Sequence, residues 1–275
     1  MPDFRAYCQP SAADPEEIRL SPEESHHLVT VNRCSRGDPV IAFDGRGHEW
    51  LTECVEAGKT AARLRVKGAR PAAIRTFSIT LAQALPKGST MDEIVRQATE
   101  VGAGRIVPLL SARTQVHLDG DRADKKVEKW RTTAIEAAKQ CGNPWLPEIT
   151  PVMRFDEFIA KDWPSIPVGP KFGEGRSAAT AGGGAETDAP PLKLIASLHA
   201  GTTTLKKALA VFARKHDHAP RSALWLIGPE GDFSPAEMTA AISAGFVPVT
   251  LGPLVLRSDT AALYALSILS DELGS

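Results

Sequence analysis

The sequence predicts an α/β protein: a parallel-sheet domain over residues 73–275 preceded by a small β domain over residues 1–72. Three observations predict it. Two strand–loop–helix units follow one another between residues 223 and 269. A strand–helix–strand pattern with a short return runs from Phe77 to Leu110. Three short apolar stretches separated by turn residues lie between Val40 and Val66. Alternation of strand and helix patterns indicates a parallel sheet, whereas closely spaced short strands indicate a barrel or half-barrel.

In the first 72 residues, Pro15 and Pro22 lie in loop, and EESHHLVTVN (residues 23–32) has the pattern of a short helix. Residues 40–43, 50–55 and 62–66 read as strands. Strict alternation across Arg63, Leu64, Arg65, Val66 and Lys67 puts three cations on one strand face. That face is either an RNA contact or a solvated edge guarded by charge. Pro71 marks the linker.

From Phe77 the alternation Phe77, Ile79, Leu81 begins a strand, and Pro86, Lys87 and Gly88 end it. Ser89 and Asp92 have capping-box spacing ahead of Met91, Ile94, Val95, Ala98 and Val101, which recur at helical intervals. Residues 105–110 form the next strand and residues 125–141 an amphipathic helix. Residues 168–191 shift to glycine, alanine, serine, threonine and proline, a flexible insertion with nothing to bury. A strand resumes at Lys193 and ends near Leu198 and His199; residues 202–216 are helical.

The apolar run at residues 223–227 stops at Gly228, and Gly228, Pro229 and Gly231 make a rigid turn. Ser234, Pro235 and Glu237 carry the signature of a helix start, and Gly245 of a helix end. Residues 246–251 read as a second strand, which Pro248 assigns to an edge or a bulge. Gly252 and Pro253 open another loop, and the helix from Thr260 is apolar on nearly every side, so it belongs in a core or a subunit interface. Glycine loops at the carboxyl ends of neighbouring parallel strands are where open α/β sheets bind ligands; taken singly, such a loop is more often an ordinary turn.

Composition excludes several classes. The 275-residue chain is 24% charged and 43% apolar with a net charge of −1, as in ordinary globular proteins. Between Ala57 and Met91 it carries Lys59, Arg63, Arg65, Lys67, Arg70, Arg75 and Lys87 and no acidic residue, the asymmetry that a phosphate backbone would call for. Cys8, Cys34, Cys54 and Cys141 have neither redox nor zinc spacing and read as reduced thiols. The histidine pairs His26/His27 and His216/His218 make poor ligand sets, so no metal is expected. Without a signal-peptide core or a membrane-length apolar run, a soluble cytoplasmic protein is expected.

The pair IGPEGDFS and LGPLVLRSDTA resembles the IGPEGG-F-S and LG-x-x-I-L-R-x-E-T-A pair of the RsmE-type methyltransferases of the SPOUT, or α/β-knot, superfamily. Residues Lys87, Met91, Ile94, Val95, Ala98, Thr99, Glu100 and Gly102 match another motif of that family, with Gln97 where lysine is usual. Glu136, Gln140 and Pro147 match a third, with Asn143 where arginine is common. Asp259 replaces a glutamate and Asp232 a glycine. The resemblance implies a trefoil-knotted carboxyl domain, a PUA-like amino-terminal domain, a homodimer, and S-adenosyl-L-methionine (SAM)-dependent methylation of the ring N(3) of a uridine in 16S ribosomal RNA, as naked RNA or within the small ribosomal subunit. It implies cofactor binding by Leu198, His199, Gly228, Pro229, Glu230, Gly231, Leu251, Gly252, Leu254 and Leu256, and RNA binding by Arg33, Arg63, Arg65, Lys67 and Arg113. For catalysis it points to Arg257 as a permanent cation beside the cofactor loop, Asp259 as its orienter or a base, and Glu230 as a second acid. Arg257 and Asp259 equally suit the start of the last helix, with Ser258 or Asp259 as cap. A SPOUT enzyme for another RNA site and a non-catalytic RNA-binding or ribosome-assembly factor are the rival readings.

Overall fold

The computed structural model describes residues 4–9, 15–71, 74–116, 118, 120–166, 190–198 and 201–274. His199 and most of the 168–191 insertion lie outside them. The chain divides into two compact units, Met1–Ala73 with Ile135–Leu146, and Ile74–Ala134 with Pro147–Ser275.

The first unit is a five-stranded sheet. Strands β1 (Phe4–Tyr7), β2 (Glu17–Arg19), β3 (Pro39–Phe43), β4 (Glu49–Glu56) and β5 (Arg63–Ala69) lie in the order β1-β3-β4-β5-β2, antiparallel except for β1 with β3. Trp50, Thr52 and Cys54 alternate inward along β4 and pack with Ile18, Leu28, Val40 and Leu64. Helix α1 (Pro22–His26) begins at Ser21, whose hydroxyl accepts from the Glu24 amide at 3.2 Å, and passes into a π-helical turn, His27–Val31. The predicted helix over 23–32 is therefore one stretch in two geometries. The Asp44–His48 turn is closed by residues 145 and 146: Gly45 (φ 74°) and Gly47 (φ 94°) leave the space that the Leu146 and Trp145 side chains fill. Lys139, 8% exposed, binds Glu24 at 3.0 Å and Glu136 at 2.6 Å, and Glu136 also meets His27 at 3.1 Å. Glu136 is thus engaged within this unit.

The second unit is a seven-stranded, wholly parallel sheet with helices on both faces. Its elements in chain order are β6 (Ser78–Ala84), α2 (Thr90–Glu100), β7 (Arg105–Leu110), α3 (Gly120–Cys141, of which residues 120–134 belong to this unit), β8 (Glu148–Ile149), β9 (Met153–Arg154), α4 (Phe155–Ala160), β10 (Leu192–Ala196), α5 (Leu205–His216), β11 (Ser222–Ile227), α6 (Pro235–Ser243), β12 (Val247–Val249) and α7 (Ser258–Gly274). The strand order is β12-β10-β11-β6-β7-β8, with β9 also on β7. Every residue of β6 and β11 is buried, as covering of both faces requires. Ile79, Leu81 and Trp225 pack against α2, α3, α5 and α7 on one face, while Ala82, Leu224 and Leu226 pack against α4 and α6 on the other.

Pro248 lies in β12 at the sheet edge, where its missing N–H costs no ladder bond. Residues 250–257 then carry the chain back past the ends of β10 and β11 to α7, which packs on β11, β6 and α2. Of α7, Ala262, Ala265, Leu266 and Leu269 are buried in the core while Tyr264 is 45% exposed, so the core half of the expectation for this helix is met within the chain. One capping expectation fails: Ser89 makes no side-chain cap, and Asp92 instead accepts from Trp130 Nε1 at 2.9 Å and pairs with Lys129. A buried indole N–H that needs an acceptor outcompetes a local turn. Among the described residues no helix is long and apolar enough to cross a membrane.

Candidate active site

Three loops at the carboxyl ends of β10, β11 and β12 enclose the site. The first, Gly228 to Ser234, is a built turn. The Asp232 amide donates to Pro229 O at 2.9 Å, and Asp232 itself is left-handed (φ 58°), with Oδ1 accepting from the Phe233 amide at 2.7 Å. This explains a glycine at the equivalent place in the family pattern: glycine takes that conformation freely, and aspartate is among the few other residues that tolerate it. Phe233 is fully buried and pins the loop to the core below. The predicted capping box is present, Ser234 Oγ accepting from the Glu237 amide at 3.3 Å and Glu237 Oε2 from the Ser234 amide at 2.8 Å.

Neighbouring loops stitch this turn in place. Glu230 Oε1 accepts from the Lys87 amide at 3.0 Å, beyond β6. Beyond β7, the Ala112 amide donates to Glu237 Oε1 at 2.7 Å and Arg113 Nη1 donates to Gly231 O at 2.6 Å. Arg113, expected as an RNA contact, is in this geometry an anchor of the first loop.

The second loop follows β12. Thr250 Oγ1 bridges both main-chain groups of Gly252, which is left-handed (φ 122°). At its far end Ser258 Oγ donates to Gly228 O at 3.0 Å and accepts from Gln83 Nε2 at 2.9 Å, so the second loop is tied to the first and to β6. Ser258 opens α7 without acting as a conventional cap. Asp259 Oδ1 accepts from the amide of Thr260 at 2.8 Å rather than from the Arg257 guanidinium, so the expected orienting pair is not formed.

Between the loops lies a cavity of about 280 Å³. Of the predicted cofactor residues, Leu198, Gly228, Pro229, Glu230, Leu251, Leu254 and Leu256 line it, together with Arg257. Gly231 and Gly252 shape the loops without lining it; Gly231 faces Arg113. Asp259 lies outside the lining, and His199 is not among the described residues. Asp232, Val255, Ser258 and Ala261 are lining residues that sequence reasoning did not select. The lining is mainly apolar, with main-chain polar groups at Gly228 and the exposed guanidinium of Arg257 at the rim. Such a surface holds a flat or thioether-bearing ligand and offers one fixed positive charge.

In the amino-terminal unit, Arg63, Arg65 and Lys67 share the exposed face of β5 as predicted. That strand is no edge, since β4 and β2 flank it. Nor is the face simply basic: Arg63 binds Glu56 at 2.6 Å and Glu17 at 3.3 Å, Lys67 binds Glu53 at 2.7 Å, and Arg65 stands in register between Glu17 and Glu53. Arg33 is exposed and left-handed (φ 61°), and among the described residues it has no ion-pair partner.

A family model described as the RNA methyltransferase domain matches residues 74–171 and 180–270. The chain belongs to the RNA methyltransferase family. A second model, the RNA methyltransferase PUA domain, matches residues 20–67, from α1 into β5. Among its relatives are proteins named ribosomal RNA small subunit methyltransferase E. One from a Synechocystis species is 29% identical, over 96% of this chain and 76% of the relative. Another, from Bacillus subtilis, is 29% identical over 91% of this chain and 88% of the relative. A solved structure from Legionella pneumophila, described as a methyltransferase in complex with the bound cofactor SAM, is 28% identical with a TM-score of 0.79, covering 98% of both chains. The resemblance to RsmE-type enzymes drawn from the two loop motifs is borne out by these relatives.

Proposed function

We propose that this chain transfers a methyl group from SAM to the ring N(3) of a uridine in 16S ribosomal RNA, in the cytoplasm, as a homodimer acting on naked RNA or on the small ribosomal subunit. The observation that carries the reading is the cavity itself, which gathers Gly228, Leu251, Leu256 and Arg257 from two loops separated by α6 and β12 in a family of RNA methyltransferases. The likeness to the SAM-bound Legionella structure supports the choice of cofactor.

The residues present suit that group. Ile227, Leu251, Leu256 and Ala261 form apolar walls for an adenine ring and an alkyl chain, and Gly228 leaves its main chain bare where a Cβ would crowd Asp232 Oδ1 at 3.1 Å. When bound, SAM supplies an electrophilic methyl on a sulfonium. The remaining work falls to the protein. A uridine N(3) carries a proton between two carbonyls and is a good nucleophile only as the anion. The Arg257 guanidinium at the rim stabilises negative charge as it spreads onto the flanking carbonyl oxygens. Of the nearby carboxylates, Glu230 and Asp232 line the cavity and Asp259 lies in the first turn of α7; Glu230 or Asp259 is proposed to take the proton. Alignment of the RNA base supplies much of the rest.

Calorimetric titration with SAM tests this reading. Saturable binding near one per subunit or per dimer is expected. Folded protein that binds no SAM, with or without 16S ribosomal RNA, contradicts the proposal and favours an RNA-binding factor.

A further inference from the structure

Gln83 is a buried amide in a strand that is otherwise a short, wholly buried run, and it touches neither solvent nor the cavity. Its Nε2 donates to Ala84 O at 2.8 Å and to Ser258 Oγ at 2.9 Å, with Gly228 O at 3.5 Å beyond. Its Oε1 makes no hydrogen bond among the described residues, so the amide serves here as a donor. Ser258 has one hydroxyl proton. Because Gln83 supplies an N–H to the oxygen, that proton is free to go to Gly228 O at 3.0 Å. The direction of the relay is therefore fixed from β6: Gln83 to Ser258 to Gly228. Both receiving residues line the cavity, Gly228 beside Pro229 and Glu230, and Ser258 beside Arg257.

We infer that Gln83 is a positioning residue for methyl transfer, which sets the two cofactor loops against each other through Ser258; the inference rests on the proposed function. A leucine or methionine would fill the space equally well in a buried strand, so packing gives no reason for an amide. The donor requirement does. A glutamate is isosteric, but as a carboxylate it accepts where the amide donated. Ser258 would then turn its proton to the introduced carboxylate, and Gly228 O would lose its partner in a buried setting.

The test uses the full chain as wild type, Gln83→Met, Gln83→Glu, Ser258→Ala and the Gln83→Met/Ser258→Ala double variant, read by SAM calorimetry, by steady-state kinetics and by amide hydrogen exchange. Each single variant is expected to weaken SAM binding by about tenfold, the size of one buried hydrogen bond lost. The double variant should fall little further, since both changes break one relay. KM for SAM should rise while KM for RNA stays constant, and the Asp232 and Ala261 amides, which donate to Pro229 O and Arg257 O, should exchange faster without any ligand. Wild-type affinity and exchange in Gln83→Met and Ser258→Ala would overturn the inference, as would fully additive losses in the double variant. Should Gln83→Met fail to fold, Ser258→Ala decides alone, by the same two readouts. If wild-type protein binds no SAM but exchange still rises in the variants, the Gln83–Ser258–Gly228 relay stands and the proposed function falls.

Discussion

Gly228→Ala is the sharpest steric probe of the first loop. A Cβ there would lie 3.1 Å from Asp232 Oδ1, 3.2 Å from Asp232 Cα and 3.4 Å from its carbonyl carbon. The first two are tighter than ordinary van der Waals separation, and the turn cannot swing away freely, because Asp232 is held by the Pro229 O bond and by Phe233 buried beneath it. Gly228 does not have a left-handed φ, so the cost is overpacking alone, about 1–3 kcal/mol. For a unit of this size each kcal/mol lowers Tm by about 2–4 °C. Scanning calorimetry should show that fall, and SAM titration a loss of about tenfold or more because the methyl group shifts a cavity wall. Adding Asp232→Gly removes the Oδ1 clash and the left-handed strain together but leaves the crowding against the main chain of residue 232, so it should restore part of the stability. Asp232→Ala in its place removes the oxygen yet keeps the strain, at about 1–2 kcal/mol, and should restore less. A Gly228→Ala variant with unchanged Tm and affinity would refute the geometry of this turn.

Other outcomes follow from the same structure. Arg257→Ala should lower kcat by about 10²–10³ while stability moves by less than about 0.5 kcal/mol, since the side chain is exposed at the rim; undiminished turnover would remove Arg257 from the mechanism. Arg33→Glu should reduce the salt dependence of RNA binding by about 0.7–0.9 in log–log slope if it releases one phosphate contact, and more than Arg63→Glu or Lys67→Glu, whose cations already serve Glu17, Glu53 and Glu56. Equal slopes for all three would contradict that ranking. Burial pushes the Cys8 and Cys34 thiols up to about 12, so at about pH 8 alkylation of the folded protein should stop at the exposed Cys141. The stability these two raised thiols contribute is fully present below their ordinary value of 9.0 and is lost as pH rises toward 12; stability that climbs over that interval would contradict the shift.

Much of this was legible because its causes are local. Strand Ser222–Ile227, the Ser234–Glu237 capping box, the close of α6 at Gly245 and the edge position of Pro248 each follow from residues within a few positions of one another. What the sequence hid is tertiary. Ser258 looked like a helix cap, but its hydroxyl serves Gln83, 175 residues away, and Gly228, 30 away. Asp92 had the spacing of a capping box, yet it faces Trp130 from another helix. The cations of β5 read as a basic stripe because their carboxylate partners come from β2 and β4, in a register that alternation along one strand does not contain. Gln83 did carry a signal that could have been used: a large amide at the end of a fully buried strand needs a partner.

The measurement that tests the central claim most directly is nucleoside mass spectrometry of 16S ribosomal RNA, naked and within the small subunit, after incubation with the purified protein and SAM carrying a labelled methyl group. Labelled 3-methyluridine is expected from one or both substrates, and its formation should be slowed by about 10²–10³ in Arg257→Ala. Label in any other nucleoside, or none in either substrate from protein that binds SAM, would contradict that claim.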